Sequence, residues 1–335
     1  MFSKEILAID AAAVTEKIAA TLREQVMGTL KKRGLVVGIS GGIDSSVVAA
    51  LAARAFGKER VFAIMMPERD SSSDSSRLGR VVAESLGIQA ITEELGPTLE
   101  AAGCYARQLE AIRTVVPEYG DGWKCKLSLP SILDSDRINV TYLTVASPTG
   151  ESKTVRLPPA AYLQIVAATN YKQRLRKVTE YYHADRLNYA VSGTPNRLEY
   201  DQGFFVKGGD GLADVKPIAH LYKTQVYALA AYLGVPEEIQ QRPPTTDTFS
   251  LPQGQDEFYF SLPYHAMDLA LYGKNHDVPV EEVARVLDLN IDQAKRVFKD
   301  IEQKRRATRY LHTRPLLVEP VREVEVDAHA AASST

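Results

Sequence analysis

The chain has 335 residues, 45% of them hydrophobic and 24% charged, the balance of an ordinary soluble globular protein of one large or two modest domains. Its 40 basic and 42 acidic residues are spread along the sequence, which excludes a nucleic-acid polycation and leaves a small molecule as the expected partner. Cys104 and Cys125 lack metal-ligand spacing and a disulfide framework, no basic segment precedes an apolar core, and no run approaches the roughly 18 apolar residues of a membrane span. A cytoplasmic protein with no zinc and no membrane partner is therefore expected.

In chain order, Val14, Ile18, Leu22, Val26 and Leu30 recur every four residues and predict a packing or dimer helix, with Asp10 as N-cap and Gly34 as stop. Apolar runs at 35–39, 61–66, 88–91 and 187–191 predict buried strands, with helices over 44–55 and 74–86 among them. This alternation predicts an α/β fold built on a doubly wound parallel sheet, whose ligands sit beyond the carboxyl ends of its strands. "RINVTYLTVASPTGESKTVRL" reads as two Val/Thr-rich strands around a Ser-Pro-Thr-Gly turn. The segments 256–273 and 291–306 read as helical lids or packing elements, and Phe258, Tyr259, Phe260 and Tyr264 as a core stripe rather than a ligand face. After Arg314 the chain turns acidic and then Ala/Ser-rich, so 326–335 are expected to be a disordered tail; the sequon at Asn139 reads as chance.

"LVVGISGGIDSSVVAA", residues 35–50, joins a strand to a helix through paired glycines among hydroxyls. Gly41 and Gly42 let the backbone approach a phosphate, and the helix start offers free N–H groups and a positive dipole end. The run has no Gly-Lys-Ser/Thr ending and lacks dinucleotide-fingerprint spacing; the bland reading is a plain Gly-rich turn. Residues 40–46 resemble the pyrophosphate loop of the N-type ATP pyrophosphatases, which cleave ATP between its α and β phosphates and adenylate their substrate. A longer stretch, "VSGTPNRLEYDQGFFVKGGDGLADVKPIAHLYKTQV" at 191–226, resembles the ammonia-dependent NAD synthetases, as do "NYKQRLR" at 170–176 and "PPTTD" at 243–247. Order and spacing agree from about residue 14 to residue 305.

That resemblance implies an adenine nucleotide alpha hydrolase-like fold, a single catalytic domain over 1–325 with an inserted hairpin within 115–160, and a homodimer. It implies deamido-NAD, ATP and ammonia as substrates and Mg²⁺ as cofactor. By position in the family's motifs, ATP falls to Gly38, Ser40, Gly41, Gly42, Asp44, Ser45, Ser46, Thr194, Lys223 and Thr245, the metal to Asp44 and Glu199, and catalysis to Asp44 and Lys223. Deamido-NAD falls to Asn170, Arg174, Lys207, Asp214 and Lys304. The chemistry agrees, because a carboxylate approaching a polyphosphate needs its negative charge neutralised, and Mg²⁺ favours a few carboxylates plus substrate phosphate.

Blander readings stand beside these. A lone Asp or Glu is commonly a surface acid, a lone Thr a cap, and Lys172, Arg176 and Lys177 beside Arg174 a solvated basic face. Asp210, in a Gly-Gly-Asp-Gly turn, reads equally as cap or ligand. The loop 67–76 is Ser-rich where the family usually carries Gln and several acids, and Gln303-Lys304 replaces a His-Lys pair. Two rival functions remain: an adenylating amide ligase for another carboxylate, and an ATP-binding regulatory module, against which the joint presence of Asp44, Glu199 and Lys223 stands. Neither cysteine lies in an amidase motif, so free ammonia is the expected nitrogen source.

Overall fold

The computed structural model describes residues 2–129, 133, 141–245, 249–260 and 262–324. Asn139, Thr246, Asp247 and the tail expected over 326–335 lie outside the described residues.

Helix α1 (Ala11–Arg23) is capped by the Asp10 carboxylate, which accepts from the Ala13 N–H at 3.0 Å. The predicted run to Gly34 is not one regular helix, for Glu24–Thr29 continues in wider π turns that still bury Val26. Strands β1 (Leu35–Gly38), β2 (Val61–Met65) and β3 (Gln89–Thr92) then alternate with α2 (Ile43–Phe56) and α3 (Ser73–Leu86). Helices α4 (Gly96–Ala101) and α5 (Cys104–Arg113) lead to β4 (Lys124–Ser128), β5 (Tyr142–Ala146) and β6 (Ser152–Arg156). After α6 (Pro159–Leu187) come β7 (Ala190–Val191), α7 (Arg197–Gln202), α8 (Lys223–Tyr232) and α9 (Glu237–Gln240), then α10 (Tyr264–Asn275), α11 (Val280–Leu287) and α12 (Ile291–Thr308).

The main sheet is parallel in the order β3-β2-β1-β7. From β1 the chain moves outward through β2 and β3, whereas β7 pairs on the other side, so the order reverses at β1 and leaves a crevice at the carboxyl ends of β1 and β7. Both faces are covered. Leu35 and Val37 pack with Val47 and Leu51 of α2, Leu22 of α1 and Leu229 of α8, while Val36, Phe62 and Ile64 pack with Ala168 and Ala184 of α6 and Tyr105 of α5. A strand buried on both faces reads as a continuous apolar run, which is why β1 and β2 are visible in the sequence.

The run at 187–191 is a different case. Leu187 still belongs to α6, Asn188 at φ +54° stops that helix, and only Ala190 and Val191 form strand. Apolar content alone does not separate a helix end from a short buried strand.

The small sheet is antiparallel, β4-β5-β6, with β5 and β6 joined through the Ser147–Gly150 turn. Its inner residues Leu127, Leu143 and Val145 pack on Ala161 and Ile165 of α6 and on Phe249. Helices α10 to α12 pack through Met267, Leu271, Val283, Val297 and Ile301. Among the described residues no helix is long and apolar enough to cross a membrane.

Candidate active site

The turn from β1 into α2 is built by its own side chains. Gly41 adopts φ +73°, and a Cβ there would lie 2.7 Å from the Ser75 carbonyl oxygen and 2.8 Å from Leu78 Cβ, so only glycine fits. Ser45 Oγ accepts from the Ser40 N–H at 3.2 Å and donates to the Gly42 carbonyl at 3.1 Å; Ser46 Oγ donates to the same carbonyl at 2.8 Å. Gly42 is the N-cap of α2 and brings no capping side chain, which leaves the helix start open for an anion.

Beside this cradle, Asp44 and Glu199 face a common space. Asp44 accepts from Lys223 Nζ through Oδ2 and from Asn196 Nδ2 through Oδ1 at 3.1 Å. Glu199 accepts from the Asn196 N–H at 3.0 Å and from Gln255 Nε2 at 3.0 Å. Burial, with Asp44's negative charge adding to it, pushes the Glu199 carboxyl up to about 8. Burial opposes charge on Lys223, but the Asp44 and Glu199 carboxylates outweigh it and raise the ammonium's pKa. The lysine is fixed by the buried Asp268, which accepts from the Lys223 N–H at 3.1 Å and the Thr224 N–H at 2.7 Å and so caps α8 from another helix.

One cavity of about 1080 Å³ joins these groups to the far wall. Ser40, Gly42, Asp44, Ser45, Thr194, Glu199, Lys223 and Thr245 line it on the cradle side, and Asn170, Arg174, Lys207 and Lys304 on the other. Arg174 Nε donates to the Lys207 carbonyl at 3.2 Å, and Lys207 Nζ donates to the carbonyls of Tyr310 and Thr313, both at 2.8 Å. Lys304 Nζ donates to Asp300 at 2.6 Å, and burial lowers its pKa.

Several residues named from the sequence stand elsewhere. Gly38 lies beneath the cradle, where a Cβ would come 2.8 Å from Glu180, and Gly41 and the fully buried Ser46 support the loop from behind. Asp214 does not line the cavity: its carboxylate takes the Val191 N–H at 2.7 Å and the Tyr181 hydroxyl at 3.1 Å, holding the end of β7. The aromatic stripe divides, with Phe258 and Tyr259 lining the cavity and Phe260 buried in the core. Asp210 takes both expected positions, since it accepts from the Val206 N–H at 2.7 Å and also lines the cavity.

The blander reading of a solvated basic face around Arg174 fails for its two lysines. Lys172 and Lys177 are 1% and 4% exposed, and Lys172 Nζ binds Glu68 at 3.2 Å together with Asp70, clamping the Ser-rich loop to α6. Asn196, Gln255 and Asp268 are the site residues that sequence reading missed. Asn196 had a local signal, because Asn-Arg-Leu-Glu spells a capping box, and both of its reciprocal bonds are present.

Comparison with known proteins agrees with this geometry. The NAD synthase family model matches residues 14–114 and 137–310, leaving out 115–136, which contain β4. An NH3-dependent NAD+ synthetase of Mesorhizobium japonicum is 69% identical over 93% of this chain and 98% of its own length. Among solved structures, an NH3-dependent NAD synthetase from Campylobacter jejuni aligns with a TM-score of 0.61 at 22% identity, covering 93% of this chain and 100% of its own. An NMN synthetase from Francisella tularensis aligns at 0.59 and 21%, covering 92% and 99%, so the fold extends to both. A phosphate cradle, an acid pair and a bank of cations on a doubly wound sheet, with that identity over nearly the whole length, place this chain in the NAD synthase family.

Proposed function

We propose that the protein is an ammonia-dependent NAD synthetase, converting deamido-NAD, ATP and ammonia to NAD, AMP and pyrophosphate. The observation that carries this reading is the single cavity joining the open start of α2 to the cations at 174, 207 and 304. An oxygen of the nicotinate carboxylate attacks the α phosphorus, the bond to the bridging oxygen breaks, and pyrophosphate departs onto the 40–46 loop. Ammonia's lone pair then forms the C–N bond of the amide, the C–O bond to AMP breaks, and nitrogen loses one proton. Lys223 offsets charge on the polyphosphate, and Thr194 and Thr245 offer hydroxyls to phosphate or ribose oxygens. Asn170, Arg174, Lys207 and Lys304 receive the dinucleotide.

The acid pair suits Mg²⁺. Among the described residues no group of three or more His, Cys, Asp or Glu is set to hold a metal, so a cation here has Asp44 and Glu199 and must complete its shell with phosphate and water, as Mg²⁺ prefers. When bound, it neutralises the polyphosphate toward in-line attack. We place residues 1–325 in one catalytic unit, because the cavity draws its walls from residue 40 to residue 311. A homodimer through α6 is supported by an apolar stripe of exposed Leu163, Tyr171, Val178 and Tyr182. Two buried free cysteines are consistent with a cytoplasmic setting.

The test is AMP formation from ATP and ammonium with deamido-NAD, nicotinate mononucleotide and unrelated carboxylates, in wild type and Arg174→Ala. Deamido-NAD should give AMP, and Arg174→Ala should weaken its use about ten- to a hundredfold while ATP binding changes little. AMP with another acid but none with deamido-NAD leaves only the adenylating-ligase reading. Glutamine supporting turnover as well as ammonium, in ammonia-free buffer without a partner protein, defeats the nitrogen assignment.

A further inference from the structure

Arg156 lies within the second stretch that the family model matches, 137–310, but outside the motifs that name site residues. It closes β6, an edge strand of the small sheet, and is among the residues that line the cavity. Ser128, Tyr142 and Arg156 pair across the sheet as one row, and Ser128, Thr141, Arg156 and Leu157 form the cavity wall at that end. This wall is firmly held. Leu127, Leu143 and Val145 pack on α6 from the sheet's other face. Leu251 N–H donates to the Cys125 carbonyl at 3.0 Å, the Cys125 N–H to Ser250 Oγ at 2.9 Å, and Gln253 Nε2 to the Leu127 carbonyl. Two residues further on, Gln255 holds Glu199. The small sheet is thus tied through the 250–255 segment, by one backbone bond and several side-chain bonds, to Glu199 of the acid pair.

Arg156 is an exposed residue and has no ion-pair partner among the described residues. By contrast Arg174, Lys207 and Lys304 each have a protein acceptor. From Arg156 the wall continues along one face of α6 through Tyr162, Val166 and Asn170 to Arg174, residues four apart that share a side of the helix. A ligand reaching from the cradle along this wall would be elongated, and its far end would meet Arg156. A fork of guanidinium donors at that end matches a phosphate.

We propose that Arg156 is a substrate-positioning residue that engages the phosphates of the adenylyl half of the dinucleotide, so that the small sheet helps select a dinucleotide over a mononucleotide. This rests on the reading of the cavity as the deamido-NAD site. The experiment measures steady-state kinetics and thermal melting of wild type, Arg156→Ala, Arg156→Lys and Thr154→Ala. Arg156→Ala should raise KM for deamido-NAD about three- to tenfold, a modest factor because the side chain is exposed, with KM for ATP within about twofold. Arg156→Lys should recover part of the loss, and Thr154→Ala, which alters the same strand away from the cavity, should behave as wild type. Nicotinate mononucleotide, used as an inhibitor competing with deamido-NAD, lacks the adenylyl half and should inhibit wild type and Arg156→Ala equally. An unchanged KM for deamido-NAD in Arg156→Ala, or a parallel rise in KM for ATP, overturns the proposal. Wild type making no AMP from deamido-NAD fails the underlying reading instead, which the same assay registers before any variant is compared.

Discussion

Asn196 donates from Nδ2 to Asp44 Oδ1 at 3.1 Å across 152 residues of sequence, while its Oδ1 accepts the N–H groups of Leu198 and Glu199. One buried residue therefore holds both carboxylates of the acid pair, Asp44 through its side-chain amide and Glu199 through its backbone N–H, and starts α7. We predict that Asn196→Ala loses about 1–2 kcal/mol through the missing cap and lowers pyrophosphate release at least about tenfold, because the acids lose their relative position. Asn196→Asp keeps an N-cap but adds a negative charge beside the pair, and should fold while staying inactive. Thermal melts and a pyrophosphate assay decide it; near-wild-type turnover in Asn196→Ala would mean that Asp44 and Glu199 are positioned without it.

Either acid should be indispensable by itself. Asp44→Asn and Glu199→Gln each take from the cavity wall a carboxyl group able to bind a cation while keeping the shape of the side chain. We predict folded proteins that release no pyrophosphate above background. A variant turning over at close to the wild-type rate leaves the metal assignment without that residue.

The same pair sets a pH signature for the ligand-free protein. Glu199 rises from an ordinary 4.5 to about 8 in the fold, so between those values the folded state binds a proton that the unfolded chain has released. Stability then falls as pH rises through this window. Asp268, raised by burial to about 6, acts in the same direction but is finished by then. Between pH 6.5 and 8 Glu199 should contribute to the loss, as should the buried Glu180 and Asp210, whose carboxyls burial also raises, and Glu199→Gln should remove its share. Urea midpoints across that range, equal in slope for wild type and variant, would sink the assignment.

The Ser-rich loop after β2 provides a stability test. Lys172 is buried against Glu68 and Asp70, with the Tyr105 hydroxyl donating to Glu68 at 2.7 Å. Removing the lysine leaves the buried Glu68 with no cation and Asp70 with only Arg69, 3.6 Å away. Lys172→Ala should cost about 3–5 kcal/mol, lowering the melting temperature by about 5 °C or more. Adding Glu68→Gln and Asp70→Asn should restore part of it, because the penalty lies in the unpaired charges. A single-variant loss under about 1 kcal/mol contradicts the clamp.

What the sequence disclosed follows from how each element is stabilised. Strands β1 and β2 are buried on both faces and stand out as apolar runs, and the 40–46 loop is legible because Gly41 must be glycine and its serines bind the loop's own backbone. Helix α6, 29 residues long, was hidden because Lys172, Lys177, Glu180 and His183 lie on buried parts of it while Leu163 and Val178 point to solvent, the reverse of an amphipathic pattern. Asp214 shows a related limit: a motif gives position in the chain, whereas the fold sets its exposed carboxylate on the Val191 N–H, outside the cavity wall. Gln255 and Asp268 carry no local signal, since each acts on a residue more than 40 positions away.

Gly41 offers the sharpest test of the cradle. Its φ of +73° lies in the left-handed region, where a Cβ costs about 1–2 kcal/mol before any contact is counted. The contacts are severe as well, because the added carbon would meet backbone at Ser75 O, 2.7 Å away, and Leu78 Cβ at 2.8 Å. Neither neighbour is a flexible side-chain end, so the β1–α2 turn must shift away from α3. That movement displaces Gly42 and the open N–H groups at the start of α2, whereas the cations of the opposite wall are held by α6, α12 and the Lys207 segment. Gly41→Ala should therefore raise KM for ATP and lower turnover at least about tenfold, leave binding of deamido-NAD within about threefold, and reduce the melting temperature by a few degrees. Titration of each substrate separately into the variant checks the split. Equal weakening of both ligands would show that the turn supports the whole cavity rather than its phosphate end.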